Sequence, residues 1–363
     1  MRVFLLLSTC VLAALLPAFP CAAQNAAKTA EEKAKAAEVN DWTVGVAGGF
    51  FEGTFIRFAV ELAKGLDDGE NLRILPIVSY GGNENVNDLL YLKGVDIAIA
   101  YTDTLELYKK SGQVKNIEQR INYISELLVG ELYVYGGPAI TAMKDLEGKT
   151  VSLGTKGGSA TTTGPIVFER LGVHPQFVYV NNTVAIEKMK AGEIAAIVST
   201  GGKPNDLFVK LKPEPGFHFI PIEYSEKLAD YYLPCPLSHD DYPHLIPEGP
   251  PVGTLCMPSV LAVYNFPKGN DRARRLGRFI DYYFDRFDKL KQPSFHPKWK
   301  DVNVAAKVPG WTRYWMAEEK LAAMQGTATA PAISPDKEAL FRQFDKWQKE
   351  RVKKQSIKQS TKQ

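Results

Sequence analysis

Cysteine is scarce in this sequence, and neither sign of charge dominates it. The 363 residues contain four cysteines, and two of these, Cys10 and Cys21, lie close to the N-terminus. A scaffold held together by several disulfides is therefore excluded. Lys and Arg number 44 against 41 Asp and Glu. This balance argues against nucleic acid or an anionic membrane as the main partner.

Motifs for nucleotide binding, metal catalysis and serine catalysis are also missing. The chain has no Gly-x-x-x-x-Gly-Lys-Ser/Thr loop, no Gly-x-Gly-x-x-Gly turn, no Gly-x-Ser-x-Gly elbow and no His-Glu-x-x-His helix. The densest group of metal-ligand types, residues 239–244, lies among prolines at irregular spacing and predicts an exposed loop. We therefore predict no cofactor, no bound metal and no enzyme activity.

The first 23 residues have the composition of a secretory signal. Arg2 precedes an apolar stretch at residues 3–16, and residues 21–23 offer a cleavage site of small side chains. We expect residues 1–23 to be removed, residues 24–40 to form a polar tether, and the mature protein to lie in the periplasm. A membrane anchor fits less well because the apolar stretch is short. A lipoprotein at Cys21 fits poorly because bulky residues precede that cysteine.

Two cysteines, Cys235 and Cys256, remain in the mature chain. An oxidising compartment permits a disulfide between them, and the alternative is that both are small apolar core residues. At the far end, residues 331–363 begin with apolar positions at helical spacing and finish in Lys, Gln and Ser. This pattern predicts a C-terminal helix followed by a solvated basic tail.

From Trp42 onward, short apolar segments alternate with segments of helical character, which is the pattern of βαβ units around a mostly parallel sheet. Two series occur. The first has predicted strands at residues 43–47, 72–79 and 95–101, with helices at 52–66 and 84–92. The second has predicted strands at residues 150–153, 177–180 and 194–199, with helices at 161–171 and 184–190.

Two strand-rich segments, residues 125–135 and 252–265, lie at the two ends of the second series. A chain that crosses twice between two lobes has this arrangement. We therefore predict an α/β protein in which residues 41–133 and 252–330 form the first lobe and residues 134–251 form the second.

Glycine-rich turns stand where predicted strands pass into predicted helices. They cover residues 45–54, 81–85 and 154–163, and a fourth at residues 201–205 follows a strand of the second series. In open α/β sheets such turns gather at the carboxyl ends of the strands, where helix N-termini favour a carboxylate or a phosphate. Hydroxyls come from Ser159 and from the threonines at 161–163, and Lys156 and Lys203 are candidates to balance an anion. The alternative is that these turns only cap helices.

Several of these segments resemble, in order and spacing, the TAXI family of TRAP-associated extracytoplasmic immunogenic solute-binding proteins. The resemblance extends over about residues 42–322. Its motifs are GGFFEG at 48–53, GNENVNDLL at 82–90, GVDIA at 94–98, DLEGK at 145–149, AGEIAA at 191–196 and GGKP at 201–204. One loop departs from the family: where Gly-Ser-Gly-Thr is usual, residues 157–160 read Gly-Gly-Ser-Ala.

The resemblance implies a two-lobed α/β fold of the type II periplasmic-binding-protein class. It also implies a receptor that delivers a small anionic solute, glutamate-like or a dicarboxylate, to the membrane subunits of a TRAP transporter. We expect contact with a membrane protein only and none with nucleic acid. Together with the turns, it predicts ligand-binding residues in both lobes: Gly49, Phe50, Asn83, Asn85, Asp103, Ser159, Thr161, Thr163 and Lys203.

Two alternatives stay open at this point. The same fold serves ABC importers and sensor kinases, and the sequence does not name the partner. A serine hydrolase would use Ser159, although no carboxylate and histidine pair lies near that serine in the sequence.

Overall fold

The computed structural model describes residues 21–327, and it describes side-chain surroundings for residues 29–325. The chain divides into two compact units, Met1–Tyr314 and Trp315–Gln363. Most of the predicted signal at residues 1–23, and all of the predicted C-terminal helix and tail at residues 331–363, lie outside the described residues. Within residues 21–327, none of the helices combines the length and the apolar character that a membrane crossing requires.

Ten strands of the first unit form one sheet. They are β1 (Thr43–Gly49), β2 (Arg73–Val78), β3 (Ile97–Tyr101), β4 (Ile121–Gly136), β5 (Thr150–Ser152), β6 (Gln176–Val178), β7 (Ala196–Gly201), β8 (His218–Phe219), β9 (Leu233–Leu237) and β10 (Val252–Tyr264). The order across the sheet is β2-β1-β3-β10-β4-β7-β5-β6, with β8 on β4 and β9 on β10.

Helices connect these strands. They are α1 (Cys21–Asp41), α2 (Thr54–Leu66), α3 (Gly82–Tyr91), α4 (Thr102–Ser111), α5 (Ile117–Arg120), α6 (Ala160–Leu171), α7 (Asn182–Lys190), α8 (Asp206–Val209), α9 (Asp271–Asp285) and α10 (Phe287–Leu290), with short 3-10 helices at Met143–Leu146 and Pro297–Lys300. The described part of the second unit is one helix, α11 (Trp315–Thr327). The predicted tether at residues 24–40 is part of α1, and residues 29–40 are exposed.

Two parallel triplets flank a central antiparallel pair of long strands. In the first half of the sheet, β1 is parallel to β2 and β3. In the second half, β5 is parallel to β6 and β7. Between them lie β10 and β4, which are antiparallel to each other and to the triplet strands that they join. The predicted two-lobed α/β fold is confirmed, while the lobe boundaries predicted at residues 133 and 251 stay a prediction.

The register of the central strands brings the ends of the two triplets together. Because β3–β10, β10–β4 and β4–β7 are three antiparallel pairings in succession, the two triplets run in opposite directions, and the register makes their carboxyl ends face each other. The last residue of β3, Tyr101, is opposite Ser259 of β10. The last residue of β7, Gly201, is opposite Glu131 of β4, which pairs with Cys256 of β10. Only a few residues of β10 therefore separate the two strand ends.

Each half buries its own apolar cluster. The first contains β3 residues such as Ala98 and Ala100 together with Val86 and Leu89 of α3. The second contains Ile197 of β7 with Ala185 and Met189 of α7, and the ring of Phe208. Apolar positions three or four residues apart on each helix face the sheet, as the helical spacing of the sequence predicts. The two halves are therefore each stabilised by burial of their own apolar side chains.

Cys235 and Cys256 form a disulfide between β9 and β10, with their Cα atoms 5.7 Å apart. This resolves the alternatives that the sequence left open for the pair. β9 carries Pro234 and Pro236, which cannot donate backbone hydrogen bonds. The covalent link therefore holds a strand whose own pairing is weak.

We expect the Cys235→Ser/Cys256→Ser double variant to be less stable by about 3 kcal/mol, because the disulfide closes a loop across a separation of 21 residues. Urea unfolding measures the difference. Reduction by dithiothreitol should lower the wild type to the level of the variant and leave the variant unchanged. Equal stability of the oxidised wild type and the variant would contradict the expected loss.

Candidate functional site

A cavity of about 110 Å³ lies where the carboxyl ends of the two triplets face each other. Both halves of the sheet contribute to its wall. From the first half come Gly48, Gly49, Phe50, Glu52, Gly53, Thr54, Phe55, Tyr80, Gly81 and Tyr101. From the second half come Leu153, Gly154, Thr155, Gly158, Ser159, Ala160, Asn182, Val198, Ser199, Thr200, Gly201, Asn205 and Leu207.

Three helices begin at this cavity without a side-chain cap. The N-cap residues are Gly53 of α2, Gly81 of α3 and Ser159 of α6, and none accepts a capping hydrogen bond from its own helix. The Gly82 N–H of α3 already donates to Ser159 Oγ, and in α6 the N–H groups of Thr161 and Thr162 donate to Gly158 O and Ser159 O. Each helix N-terminus carries a partial positive charge. Two helices of the first half and one of the second therefore favour an anion in the same cavity.

The two halves touch directly at the cavity. The Oγ of Ser159 accepts a hydrogen bond from Gly82 N at 3.1 Å, and the Oγ1 of Thr54 accepts one from Gly202 N at 3.1 Å. Gly81 has φ of 136°, and a methyl group there would lie 2.8 Å from Gly158 Cα. Only glycine fits that conformation and that separation. The turns of the two halves are thus packed backbone against backbone.

Aromatic rings and side-chain hydroxyl groups form the rest of the cavity wall. Phe55 and Tyr101 pack with ring centroids 4.6 Å apart, and Phe50 lines the cavity while 37% exposed. Hydroxyls of Ser199 and Thr200 and the amide of Asn205 complete the second-half side. Such a wall holds the apolar part of a small molecule and orients its polar groups.

Three of the predicted binding residues line the cavity: Gly49, Phe50 and Ser159. They come from β1, from the loop that follows it, and from the N-cap of α6. Sequence reasoning therefore brought together residues from both halves of the sheet. Whether they bind a ligand stays a prediction.

Three other predicted residues make buried hydrogen bonds outside the cavity lining. Asp103 accepts hydrogen bonds from Thr163 Oγ1 at 2.7 Å and from Tyr232 OH at 3.2 Å. The side chain of Asn85 contacts Ser79 Oγ and donates to Ile99 O at 2.8 Å. Asp103, Thr163 and Asn85 are each at most 1% exposed. In this structure the Asp103–Thr163 hydrogen bond joins α4 to α6, and the hydrogen bond from Asn85 to Ile99 joins α3 to β3.

The last predicted residues also lie outside the lining. Thr161 Oγ1 donates to Gly158 O at 2.6 Å, and Asn83 offers its carbonyl to Tyr108 OH at 3.2 Å. Lys203 Nζ donates to Pro236 O at 2.9 Å and to Asp241 Oδ2 at 3.1 Å. Lys156, the other candidate cation, is exposed.

Sequence reasoning missed several lining residues, above all Asn182. Asn182 opens α7 directly after Asn181, the residue whose Oδ1 caps that helix by accepting from Val184 N. A polar pair after β6 is the same signal as the glycine-rich turns, a strand end followed by a helix start. Applying that rule to residues without glycine would have found Asn182.

Among the described residues, one group of three potential metal ligands lies within coordination distance: Glu131 with Cys235 and Cys256. Both sulfur atoms are bonded to each other. Glu131 accepts a hydrogen bond from Lys203 N at 2.8 Å and pairs with Lys298 Nζ at 2.5 Å. These partners satisfy the carboxylate without an ion.

Comparison with known proteins gives one family. The sequence profile of the NMT1-like family matches residues 47–266, more than half of the chain. A search of curated proteins with this chain found no match.

Solved structures give looser likenesses. A mutant of ArgBP from T. maritima is 16% identical with a TM-score of 0.43, over 74% of this chain and 98% of that one. The periplasmic VFT2 domain of BvgS from Bordetella pertussis is 13% identical with a TM-score of 0.39, over 76% and 98%. XAC2383 from Xanthomonas citri bound to ATP is 10% identical with a TM-score of 0.41, over 78% and 96%. At these scores, the description of the fold rests on the strand order of this chain.

Burial raises the pKa of Asp103 above its ordinary value of 3.8. The folded protein therefore keeps this proton to a higher pH than the unfolded chain, so the free energy of unfolding falls as pH rises above about 4. Burial also raises the pKa of Glu126 to about 7 and that of Glu131 in the same direction. We expect Asp103→Asn, which cannot ionise, to lose less stability than the wild type between pH 4 and pH 7.

Urea unfolding of both proteins at three pH values measures this difference. Both proteins contain Glu126 and Glu131, so the contribution of these glutamates cancels when the two are compared. A variant that loses more stability than the wild type as pH rises would show that an ionised Asp103 stabilises the fold.

Proposed function

The chain belongs to the NMT1-like family, and from this premise we propose that it is an extracytoplasmic solute receptor whose two halves hold a small carboxylate between them. The proposal places the mature protein in the periplasm after removal of residues 1–23. It assigns no catalytic step to the protein.

The observation that carries the proposal is the meeting of uncapped helix N-termini from both halves at one cavity. α2 and α3 begin there from the first half and α6 from the second. A carboxylate attracted by the partial positive charges of helix N-termini from both halves makes contacts that exist only when the halves touch. Binding and closure are then coupled, because the ligand favours the closed arrangement by the free energy of those contacts.

Delivery to the membrane subunits of a TRAP transporter is the proposed next step, supported by the motif resemblance at residues 48–53, 82–90 and 201–204. An ABC importer or a sensor kinase would use the same cavity. Co-purification with a TRAP membrane subunit encoded by a neighbouring gene would support delivery to a TRAP transporter. An adjacent ATPase or histidine-kinase gene, with no TRAP gene present, would favour the others.

A hydrolase is disfavoured by the cavity itself. Ser159 lies in the wall, but its Oγ accepts a hydrogen bond from Gly82 N, and no histidine occurs among the lining residues. Activation of a serine requires a base within hydrogen-bond reach.

We expect a matching small carboxylate to raise the melting temperature of the protein by several degrees, since a ligand at 100 times its Kd adds about 2.7 kcal/mol of stability. A thermal-shift screen of C3 to C6 monocarboxylates, dicarboxylates and amino acids measures this rise. Sugars and nucleosides at the same concentrations are the controls. A rise with a control solute and none with any carboxylate would overturn the proposal.

Two adjacent phenylalanines allow a matched test of the cavity. Phe50 lines it at 37% exposed, while Phe51 lies outside the lining at 77% exposed. We expect Phe50→Ala to weaken binding of the carboxylate found in the screen by about tenfold, because the apolar part of the ligand loses its cover. Phe51→Ala should leave the affinity unchanged.

Titration calorimetry measures both affinities, and thermal melting without ligand verifies that both variants fold. Equal loss of ligand affinity in Phe50→Ala and Phe51→Ala would show that the effect does not come from the cavity wall.

A further inference from the structure

We infer that the cavity selects solutes with a single negative charge, and that Asn182 is a specificity-determining residue that accepts a hydrogen bond from a donor on the uncharged end of the solute. The inference rests on the proposed function, because it assumes that a carboxylate is bound. It goes further by excluding dicarboxylates as preferred ligands and by giving a role to a residue that the sequence did not indicate.

The charge balance of the wall supports a single negative charge. All lining residues lie in the described part of the chain, and none of them is Lys, Arg or His. The one charged side chain among them is Glu52, which is exposed. The positive potential in the cavity therefore comes from the N-termini of α2, α3 and α6, each equivalent to a fraction of one charge.

Cations close in sequence or space to the wall already have anionic partners. Lys203 Nζ pairs with Asp241 at 3.1 Å, and Lys298 Nζ pairs with the buried Glu131. Arg57 of α2 pairs through Nε with Glu61 at 3.0 Å. Turning any of these cations toward a ligand would leave a carboxylate without its partner, and for Glu131 that carboxylate is buried.

Lys156 is the remaining candidate cation in the turn between Thr155 and Gly158, which both line the cavity. Its side chain is exposed to solvent. An exposed lysine interacts weakly with a distant carboxylate, because water and salt screen the attraction. A second carboxylate on the solute would thus be desolvated without a fixed counter-charge, which is unfavourable.

The side chain of Asn182 supplies the polar selectivity. It lines the cavity, and its Oδ1 atom is buried without a hydrogen-bond partner in the structure. The neighbouring Asn181 already caps α7, so the cap does not occupy Asn182. A buried acceptor without a partner is unfavourable, and a donor on the ligand would satisfy it. The donor must be an N–H or O–H group, which an ionised second carboxylate lacks.

Two series of ligands of matched length test both parts of the inference. Each contains a dicarboxylate, its monoamide and its monomethyl ester, built on succinate and on glutarate. The monoamide has one charge and a donor, the ester one charge and no donor, and the dicarboxylate two charges. We expect the monoamide to bind about tenfold more tightly than the ester and at least tenfold more tightly than the dicarboxylate in titration calorimetry at pH 7.5.

Variants identify the residues responsible. Asn182→Leu should remove the preference for the monoamide over the ester while leaving ester affinity within twofold of the wild type. Thr183→Ala, an exposed neighbour outside the lining, should change neither affinity. Lys156→Gln should not alter the order of the three ligands.

The outcomes separate this inference from the proposed function. Tightest binding of a dicarboxylate, above all if Lys156→Gln abolishes it, would overturn the single-charge inference and leave the receptor proposal standing. Equal loss of ester and monoamide binding in Asn182→Leu would overturn the role of Asn182. If neither series binds while sugars or nucleosides do, the proposed function itself fails.

Discussion

The antiparallel pairing of β4 with β10 is the constraint on which the rest of the molecule depends. With the pairings β3–β10 and β4–β7 on either side of it, this pair makes three successive reversals of direction, and these set the carboxyl ends of the two parallel triplets against each other. Had the two triplets run in the same direction, their carboxyl ends would lie on one edge. Here the ends of β3 and β7 face each other, and the turns that follow them meet.

Contacts between the turns then define the cavity. Ser159 accepts from the start of α3, Thr54 accepts from Gly202, and the buried Asp103 accepts from Thr163 of α6. Each of these hydrogen bonds joins the first half to the second. The cavity wall and the contact between the halves are therefore built from the same segments, so a change in one alters the other.

Much of the fold was predictable because it depends on local signals. Apolar segments of strand length between helical segments correctly gave the order of β1 to β3 and of β5 to β7, and the glycine-rich turns correctly marked strand ends.

The side-chain environments were not predictable in the same way. Thr163 and Ser159 are both hydroxyl residues near the start of α6, yet Ser159 lines the cavity and Thr163 bonds the buried Asp103. Which residue faces which surface depends on Asp103 and Tyr232, which are distant in sequence. The disulfide likewise depends on the pairing of β9 with β10, which composition alone does not reveal.

The position of β10 between β3 and β4 has a consequence for the order in which the sheet can be completed. β3 and β4 both pair with β10, and β10 is formed by residues more than 110 positions after β4 begins. Until residues 252–264 lie between them, β3 and β4 each keep one edge without that neighbour, whereas the pairings within the two parallel triplets do not need β10. Unpaired edges invite aggregation. A folding intermediate that lacks β10 therefore exposes two edges to pairing with another chain.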